Sequence, residues 1–140
     1  MGQLNKQDFL KGDELQKEKV VFDDGSYVFV REMTGYERNM WEQSMYTKTK
    51  GPKGREDFHS NLENYQAKLA VCTICDENGE LIFDFSDYKE LSKKISAARL
   101  NKIVDVSYRL SRITEEDQEE MVKNSEGGQS NNSTSDSAAS

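Results

Sequence analysis

The residues in this sequence that are most able to carry out chemistry are two cysteines separated by two residues, Cys72 and Cys75. Their spacing suits a redox dithiol or half of a four-ligand zinc site, but His59 is the only histidine, which leaves an intrachain zinc site one ligand short. A redox dithiol normally lies at a helix N-terminus, whereas this pair lies near a predicted helix C-terminus, where the dipole disfavours the thiolate. We therefore interpret both cysteines as small buried packing residues.

The other reactive side chains form no recognisable catalytic set. His59 has no Ser or Cys nucleophile and carboxylate recognisably arranged around it. The carboxylates concentrate in Glu115–Glu120, without the spacing of a calcium loop, and we interpret them as a solvated helix face. The segment Thr47–Arg55 contains two glycines but lacks the Gly-Lys-Ser/Thr ending of a phosphate-binding loop, which favours a mobile basic loop. The sequence therefore predicts no catalytic residue, no metal and no cofactor.

Composition favours a protein as the binding partner. The chain has 140 residues, of which 32% are charged, and a formal net charge of -7. A nucleic-acid binder needs clustered Lys and Arg to neutralise phosphates, so this balance argues against that class. There is no apolar run of roughly 20 residues for a membrane span, and Met1–Leu15 lacks the layout of a secretory signal. We expect a cytoplasmic protein with reduced thiols.

The first predicted element is a β-hairpin. Val20–Phe22 and Tyr27–Val30 are rich in β-branched and aromatic residues, and Asp23–Ser26 supplies the glycine that a tight reversal tolerates. Because an isolated hairpin is only marginally stable, one of its faces must pack on the rest of the chain. Residues 1–19 are polar and are predicted to be an irregular or partly helical lead-in.

Two helices are predicted after the hairpin. Thr34 and Glu37 have the spacing of a capping box, so the first helix should begin there and continue to about Tyr46. A second helix is predicted over Glu56–Cys75, because apolar residues recur there in alternating steps of four and three. The first stripe contains Tyr36, Met40, Trp41, Ser44 and Met45, and the second contains Phe58, Leu62, Tyr65, Leu69 and Cys72.

The C-terminal part is predicted to contain three more helices. A short helix is expected over Asp87–Lys94, a longer one over Ser96–Arg112, and an acidic one after the capping pair Thr114 and Asp117. Before them, Asp76–Gly79 should stop the second helix, and Leu81–Phe83 should be extended. The last 17 residues lack large apolar side chains, so burial cannot offset the entropy of ordering them.

These elements predict a mainly α (α+β) fold, with an N-terminal β-hairpin packed on a bundle of four to five helices. The predicted domain organisation is a polar lead-in at residues 1–19, a single helical domain at 20–123 and a disordered tail at 124–140.

Three segments of the chain resemble the tail assembly chaperones of long-tailed bacteriophages. The first is Val28–Arg38, in which a strand ends in Val-Arg-Glu-Met-Thr-Gly before an acidic-basic pair. The second is Ala70–Phe83, with an apolar helix end, an acidic glycine turn and a Leu-x-Phe. The third is Ala98–Ile113, a core helix that precedes Thr-Glu-Glu-Asp. The order and spacing of the segments carry this resemblance.

The resemblance implies a protein without catalytic residues that acts in the host cytoplasm and is absent from the mature virion. Chaperones of this family coat the tape measure protein and are displaced as tail tube subunits polymerise around it. The implied partners are therefore the tape measure protein and the tail tube protein, together with self-association on the tape. The family often has a longer form made by translational frameshifting, and the soft tail after Lys123 is compatible with such a junction.

Reversible binding of a long helical partner calls for apolar and aromatic contacts of moderate area. The candidate contact residues are Tyr36, Trp41, Phe58 and Tyr65, and the free face of the hairpin is the other candidate surface. Each of these aromatic residues also fits a core role, which is the commoner one in such stripes. Two alternative functions stay open: a small regulatory adaptor that binds a host or phage protein, and a thiol-dependent enzyme that uses Cys72 and Cys75.

Overall fold

The computed structural model describes residues 2–50, 56–60 and 62–121, with the backbone alone described at 47–50 and 56–60. Six α-helices and five strands lie in this part of the chain. The helices are α1 (Lys6–Lys11), α2 (Gly35–Gln43), α3 (Tyr65–Val71), α4 (Tyr88–Lys94), α5 (Ala97–Leu110) and α6 (115–121). The strands are β1 (Lys17–Val21), β2 (Tyr27–Arg31), β3 (Tyr46–Lys50), β4 (Glu56–Ser60) and β5 (Ile74–Cys75).

A three-stranded antiparallel sheet in the order β1-β2-β5 forms one layer of the fold. Its strands alternate between two faces, as the period of two in a β-strand requires. Val20, Val30 and Ile74 belong to the inner face, where they pack with Ala70 of α3 and Ile103 of α5 in one apolar cluster. The sheet therefore uses α5 and α3 as the support that the hairpin needs.

A second apolar cluster surrounds Trp41 of α2, whose side chain is 1% exposed. The Trp41 indole N–H donates a hydrogen bond of 3.1 Å to the carbonyl of Tyr65, which ties α2 to the start of α3. Met121 of α6 packs against the edge of this cluster. Its other buried members are Met33, Met45, Leu69, Cys72, Val104, Tyr108 and Ile113.

The predicted mainly helical α+β fold with an N-terminal hairpin is confirmed. The hairpin differs in two details: β1 begins at Lys17 rather than Val20, and β5 adds a third strand beside β2. The predicted capping box is present at α2, where the Thr34 hydroxyl accepts from the Glu37 N–H at 3.2 Å and the Glu37 carboxylate accepts from the Thr34 N–H at 2.9 Å.

The predicted helix over Glu56–Cys75 is wrong at both ends. Residues 56–60 form β4, which pairs antiparallel with β3, and the helix itself covers only Tyr65–Val71. Asn64, at its start, has a left-handed backbone with φ 58°, which interrupts any helix that continues from upstream. Cys75 lies in a strand because its backbone pairs with Phe29 of β2. The segment predicted as the loop Thr47–Arg55 is a strand up to Lys50, and residues 51–55 lie outside the described residues.

The predicted helices of the C-terminal part are present. α5 begins after Ser96, whose side chain accepts from the Arg99 N–H, and α6 follows a reciprocal pair of hydrogen bonds between Thr114 and Asp117 at 3.0 and 3.1 Å. These helices were predictable because each cap lies within three residues of its partner. The predicted disorder of residues 124–140 lies outside the described residues.

One buried arginine joins the sheet, α2 and the turn that follows β5. Arg31 is 6% exposed, and its Nη1 and Nη2 donate to the two carboxylate oxygens of Glu37 at 2.9 and 2.8 Å. Its Nε donates to the carbonyl of Gly79 at 2.8 Å, and Nη1 also donates to that of Glu32. The hydrogen bond to Glu37 raises the pKa of Arg31 above its usual range, so the pair is fixed in its charged form.

Replacing Arg31 should be among the most destabilising changes in this chain. We expect Arg31→Ala to lower the free energy of unfolding by about 3 kcal/mol, because it leaves the partly buried Glu37 carboxylate without its counterion. Urea unfolding followed by circular dichroism measures the change. Lys94→Ala, which removes the exposed Lys94–Glu90 pair, is the matched control and should leave stability almost unaltered. Equal effects of the two substitutions would contradict this role for Arg31.

Glu37 should also contribute to the pH dependence of stability. Burial alone would raise the pKa of Glu37, but the hydrogen bonds from Arg31 and the Thr34 N–H outweigh burial and hold it below the ordinary value of 4.5. Because the pKa of Glu37 is lower in the folded chain than in the unfolded chain, the ionised carboxylate stabilises the fold at a pH above the ordinary pKa. This stabilisation is lost as the pH falls through the folded-state pKa. We expect Glu37→Gln to lower stability at neutral pH and to flatten the decline below about pH 5. Parallel stability profiles of the two proteins would contradict this.

Candidate interaction surface

One face of the sheet is turned away from both apolar clusters, and we call it the outer sheet face. It is formed by the residues that alternate with the inward valines on β1 and β2. Tyr27 is 52% exposed and Val21 is 47% exposed, and the two residues pair across the strands. The outer sheet face comprises Lys17, Lys19, Val21, Tyr27 and Phe29, and it ends at Arg31, which pairs with Lys17 and is buried against Glu37.

The aromatic rings and the lysines of this face contact one another. The rings of Tyr27 and Phe29 meet edge to face, with centroids 5.8 Å apart. The Lys19 ammonium lies 4.1 Å from the centre of the Tyr27 ring, and the Lys17 ammonium lies 5.6 Å from that of Phe29. Such cation–π contacts keep the charge close to an apolar surface. The outer sheet face is therefore both apolar and positively charged.

The alternation of β1 separates opposite charges onto the two faces of the sheet. Glu18, between the two lysines, points away from the outer sheet face and forms an ion pair of 2.8 Å with Arg109 of α5. Within the described part of the chain, neither Lys17 nor Lys19 has a carboxylate within ion-pair distance, although the Lys17 ammonium donates to the carbonyl of Glu77. The positive charge of this face is thus available to a partner, in a chain whose net charge is -7.

The four aromatic residues predicted as partner contacts lie in different environments. Tyr36 is 77% exposed on the first turn of α2. Trp41 is buried and Tyr65 is half-buried, and the structure brings these two together in the core. Phe58 belongs to β4, where the side chain lies outside what is described. Of the three whose side chains are described, Tyr36 is the most exposed and the one that a partner can contact directly in this conformation.

Tyr27 and Phe29 were not named individually in the sequence prediction, which gave only the free face of the hairpin. The signal that identifies them is the alternation in Tyr-Val-Phe-Val, because Val28 and Val30 turn inward and leave the two rings outside.

The two cysteines are free thiols and both are buried. Burial raises the pKa of Cys72 to about 12 and also raises the pKa of Cys75. Both thiols therefore remain protonated and weakly nucleophilic near neutral pH. Among the residues that the structure describes, no group of three or more His, Cys, Asp or Glu side chains is placed to hold a metal ion. The side chain of His59 lies outside the described atoms.

Across the described ranges, no helix has both the length and the apolar character that a membrane crossing requires.

Comparison with solved structures finds a similarity to the tail assembly chaperone of bacteriophage HK97, with 18% sequence identity and a TM-score of 0.49. The alignment covers 69% of this chain and 85% of that chain. Neither a protein-family model nor a curated protein sequence matches this chain.

The buried thiols should react slowly with thiol reagents in the folded chain. We expect native protein at about pH 8 to be labelled far more slowly than a free thiol, because both groups are shielded and little thiolate is present. Single variants Cys72→Ser and Cys75→Ser separate the two rates, and Cys72 should be the slower site. The same proteins in concentrated urea are the control and should label rapidly. Native labelling at the free-thiol rate would contradict this burial.

Proposed function

We propose that this chain is a tail assembly chaperone of a long-tailed bacteriophage, which binds the tape measure protein transiently and helps to recruit tail tube subunits. One observation carries the proposal: the three segments that resemble this family, which are far apart in sequence, are hydrogen-bonded directly to one another. A resemblance of whole folds requires such contacts between the segments.

The first and second segments meet along β2 and β5. Val30 pairs with Ile74, and the backbone N–H of Arg31 donates to the carbonyl of Thr73 at 2.9 Å. The Arg31 side chain then reaches Gly79, whose φ of +87° forms the acidic glycine turn of the second segment. The Val-Arg-Glu run and the glycine turn therefore depend on each other.

The third segment contacts both of the others. The backbone N–H of Met33 donates to the Ser111 hydroxyl at 3.1 Å, and the Arg38 guanidinium donates to the Ser111 carbonyl at the same distance. The buried hydroxyls of Thr73 and Ser107 lie 2.8 Å apart and join α5 to the second segment. The residues that carry the resemblance thus form one connected framework.

This framework presents Tyr36 on a rigid support. The capping box fixes the start of α2, and the buried Trp41 anchors the same helix in the core. A rigid, exposed tyrosine is a frequent anchor residue in protein interfaces because it offers a large contact area at a low entropy cost. We assign the direct tape measure contact to Tyr36, with Trp41 and Tyr65 holding α2 in place. The tail tube protein is the second proposed partner.

Co-expression with the long helical protein encoded beside this chain in its genome tests the proposal. We expect the two proteins to copurify, and we expect Tyr36→Ala to weaken the complex about tenfold or more. Tyr46, which is 50% exposed on β3, provides the control Tyr46→Ala, which should bind normally. Addition of the tail tube protein should then release the chaperone from the complex.

Absence of any complex with the tape measure protein, while the chain is folded, would overturn the proposed function. Equal losses of binding in the Tyr36 and Tyr46 variants would instead overturn the assignment of the contact to Tyr36.

A further inference from the structure

We propose that Asn78 is a site of spontaneous modification, where the side chain reacts with the backbone nitrogen of Gly79 and the resulting succinimide opens in water to aspartate or isoaspartate. The inference concerns this chain alone and does not depend on the function proposed above. Asn78 and Gly79 lie in the turn after β5, which Arg31 holds through its hydrogen bond to the Gly79 carbonyl. The modification therefore alters the turn to which the buried pair of Arg31 and Glu37 is attached.

The sequence and the exposure of the turn select this position. Asn78 is the only asparagine of the chain that is followed by glycine. Succinimide formation brings the backbone nitrogen of the next residue to the side-chain amide carbon, and a Cβ on that residue hinders the approach, whereas glycine has none. Asn78 is exposed, and nothing lies within 4 Å of the place that a Cβ would occupy at Gly79. The five-membered ring therefore has room to form.

The reaction needs solvent water as its only co-reactant. The Gly79 nitrogen forms a bond to Cγ of Asn78, the bond from Cγ to the side-chain nitrogen breaks, and ammonia leaves with the proton of the Gly79 N–H. Water then breaks one of the two bonds that join the ring nitrogen to a carbonyl carbon. Breaking the bond to Cγ gives aspartate with the original backbone. Breaking the bond to the Asn78 main-chain carbonyl gives isoaspartate, whose backbone runs through the side chain.

Hydrogen bonds inside the turn control the rate of this reaction. The Gly79 N–H donates to the Asp76 carbonyl at 3.0 Å, and the Asn78 N–H donates to the Asp76 carboxylate at 2.8 Å. The Glu80 N–H donates to the same carboxylate oxygen at 3.0 Å. Attack requires the Gly79 nitrogen to lose its proton and the Asn78 backbone to rotate, so these bonds must open first. The folded turn therefore reacts at a rate set by its local opening.

The two products have different effects on the fold. The Asp76 N–H donates to the Glu80 carbonyl at 2.9 Å and closes the turn, in which Gly79 has a left-handed backbone with φ 87°. Aspartate at position 78 keeps the number of backbone atoms, so the turn stays closed. Isoaspartate adds one backbone carbon between Asp76 and Glu80, which displaces the Gly79 carbonyl from Arg31. Isoaspartate formation thus detaches the turn from the buried ion pair.

Incubation of the folded full-length chain in mildly alkaline buffer tests whether the site reacts. Peptide mass spectrometry detects the exchange of ammonia for water, and chromatographic separation distinguishes aspartate from isoaspartate. We expect Asn78 to react before every other asparagine, and to react faster when the chain is unfolded in urea, because the hydrogen bonds of the turn are then lost. Asn78→Gln is the control and should stay unmodified over the same period, because its longer side chain would have to form a six-membered ring.

The variant Asp76→Ala tests the control of the rate by the turn. It removes the acceptor of the Asn78 and Glu80 N–H groups. We expect Asn78 to react about tenfold faster than in the wild type, the change in open population for one hydrogen bond to a charged group. Asp13→Ala removes the same charge from an exposed residue outside the helices and strands and should react at the wild-type rate. Circular dichroism verifies that both variants are folded.

The purified products test the effect on the fold. In urea unfolding, we expect the isoaspartate form to be less stable than the wild type, with an unfolded fraction about tenfold larger, because the hydrogen bond from Arg31 to Gly79 is lost. Asn78→Asp reproduces the other product and should be as stable as the wild type. A wild-type chain unmodified at Asn78 while its urea-unfolded form reacts, or equal rates in Asp76→Ala and Asp13→Ala, would overturn the inference. Equal stability of the isoaspartate form and Asn78→Asp would overturn the assigned effect on the turn.

Discussion

The fold depends on the buried ion pair between Arg31 and Glu37. Glu37 caps the first turn of α2 and accepts two hydrogen bonds from Arg31, and Arg31 in turn fixes the turn at Gly79. A buried pair of this kind is not favourable by burial alone, because desolvating two charges costs about as much as their attraction returns. The pair instead fixes geometry. The Arg31 guanidinium can donate to Glu37 and to Gly79 at the same time only when the sheet, α2 and the turn after β5 have this one relative arrangement.

The sequence allowed prediction of several features whose partners lie within a few residues, although the capping box of Asn5 and Asp8 that begins α1 was not recognised. The capping boxes at Thr34 and Thr114 and the hairpin turn are of this kind, because their hydrogen bonds join residues three apart or less. Long-range pairings were missed. β5 is a strand because Cys75 pairs with Phe29, which lies more than forty residues away in the sequence. β4 is a strand because it pairs with β3, so the local helical spacing of Phe58 and Leu62 was misleading.

The interaction surface could likewise be predicted only in part, because a local pattern in the sequence does not show where the core ends. A helical stripe predicts which side chains share a face, but it does not say where the face ends. Tyr36 and Trp41 belong to one predicted stripe, yet Tyr36 lies beyond the edge of the core and is exposed, whereas Trp41 is at its centre. Strand alternation is more decisive, since adjacent residues must point in opposite directions, and it places Tyr27 and Phe29 outside once Val28 and Val30 are inside.

The Lys-Glu-Lys run of β1 explains how this chain can expose aromatic rings on a sheet without promoting unspecific association. Charged side chains on an edge strand oppose unspecific pairing with other strands, and here both lysines also cover the rings beside them. The covering is reversible, because a cation over an exposed ring is held only weakly. A partner that brings carboxylates can draw the ammonium groups toward itself and reach the rings, whereas a neutral apolar surface must displace the lysines without compensation. The same two lysines that oppose unspecific strand pairing would therefore favour an acidic partner over a neutral one at this face.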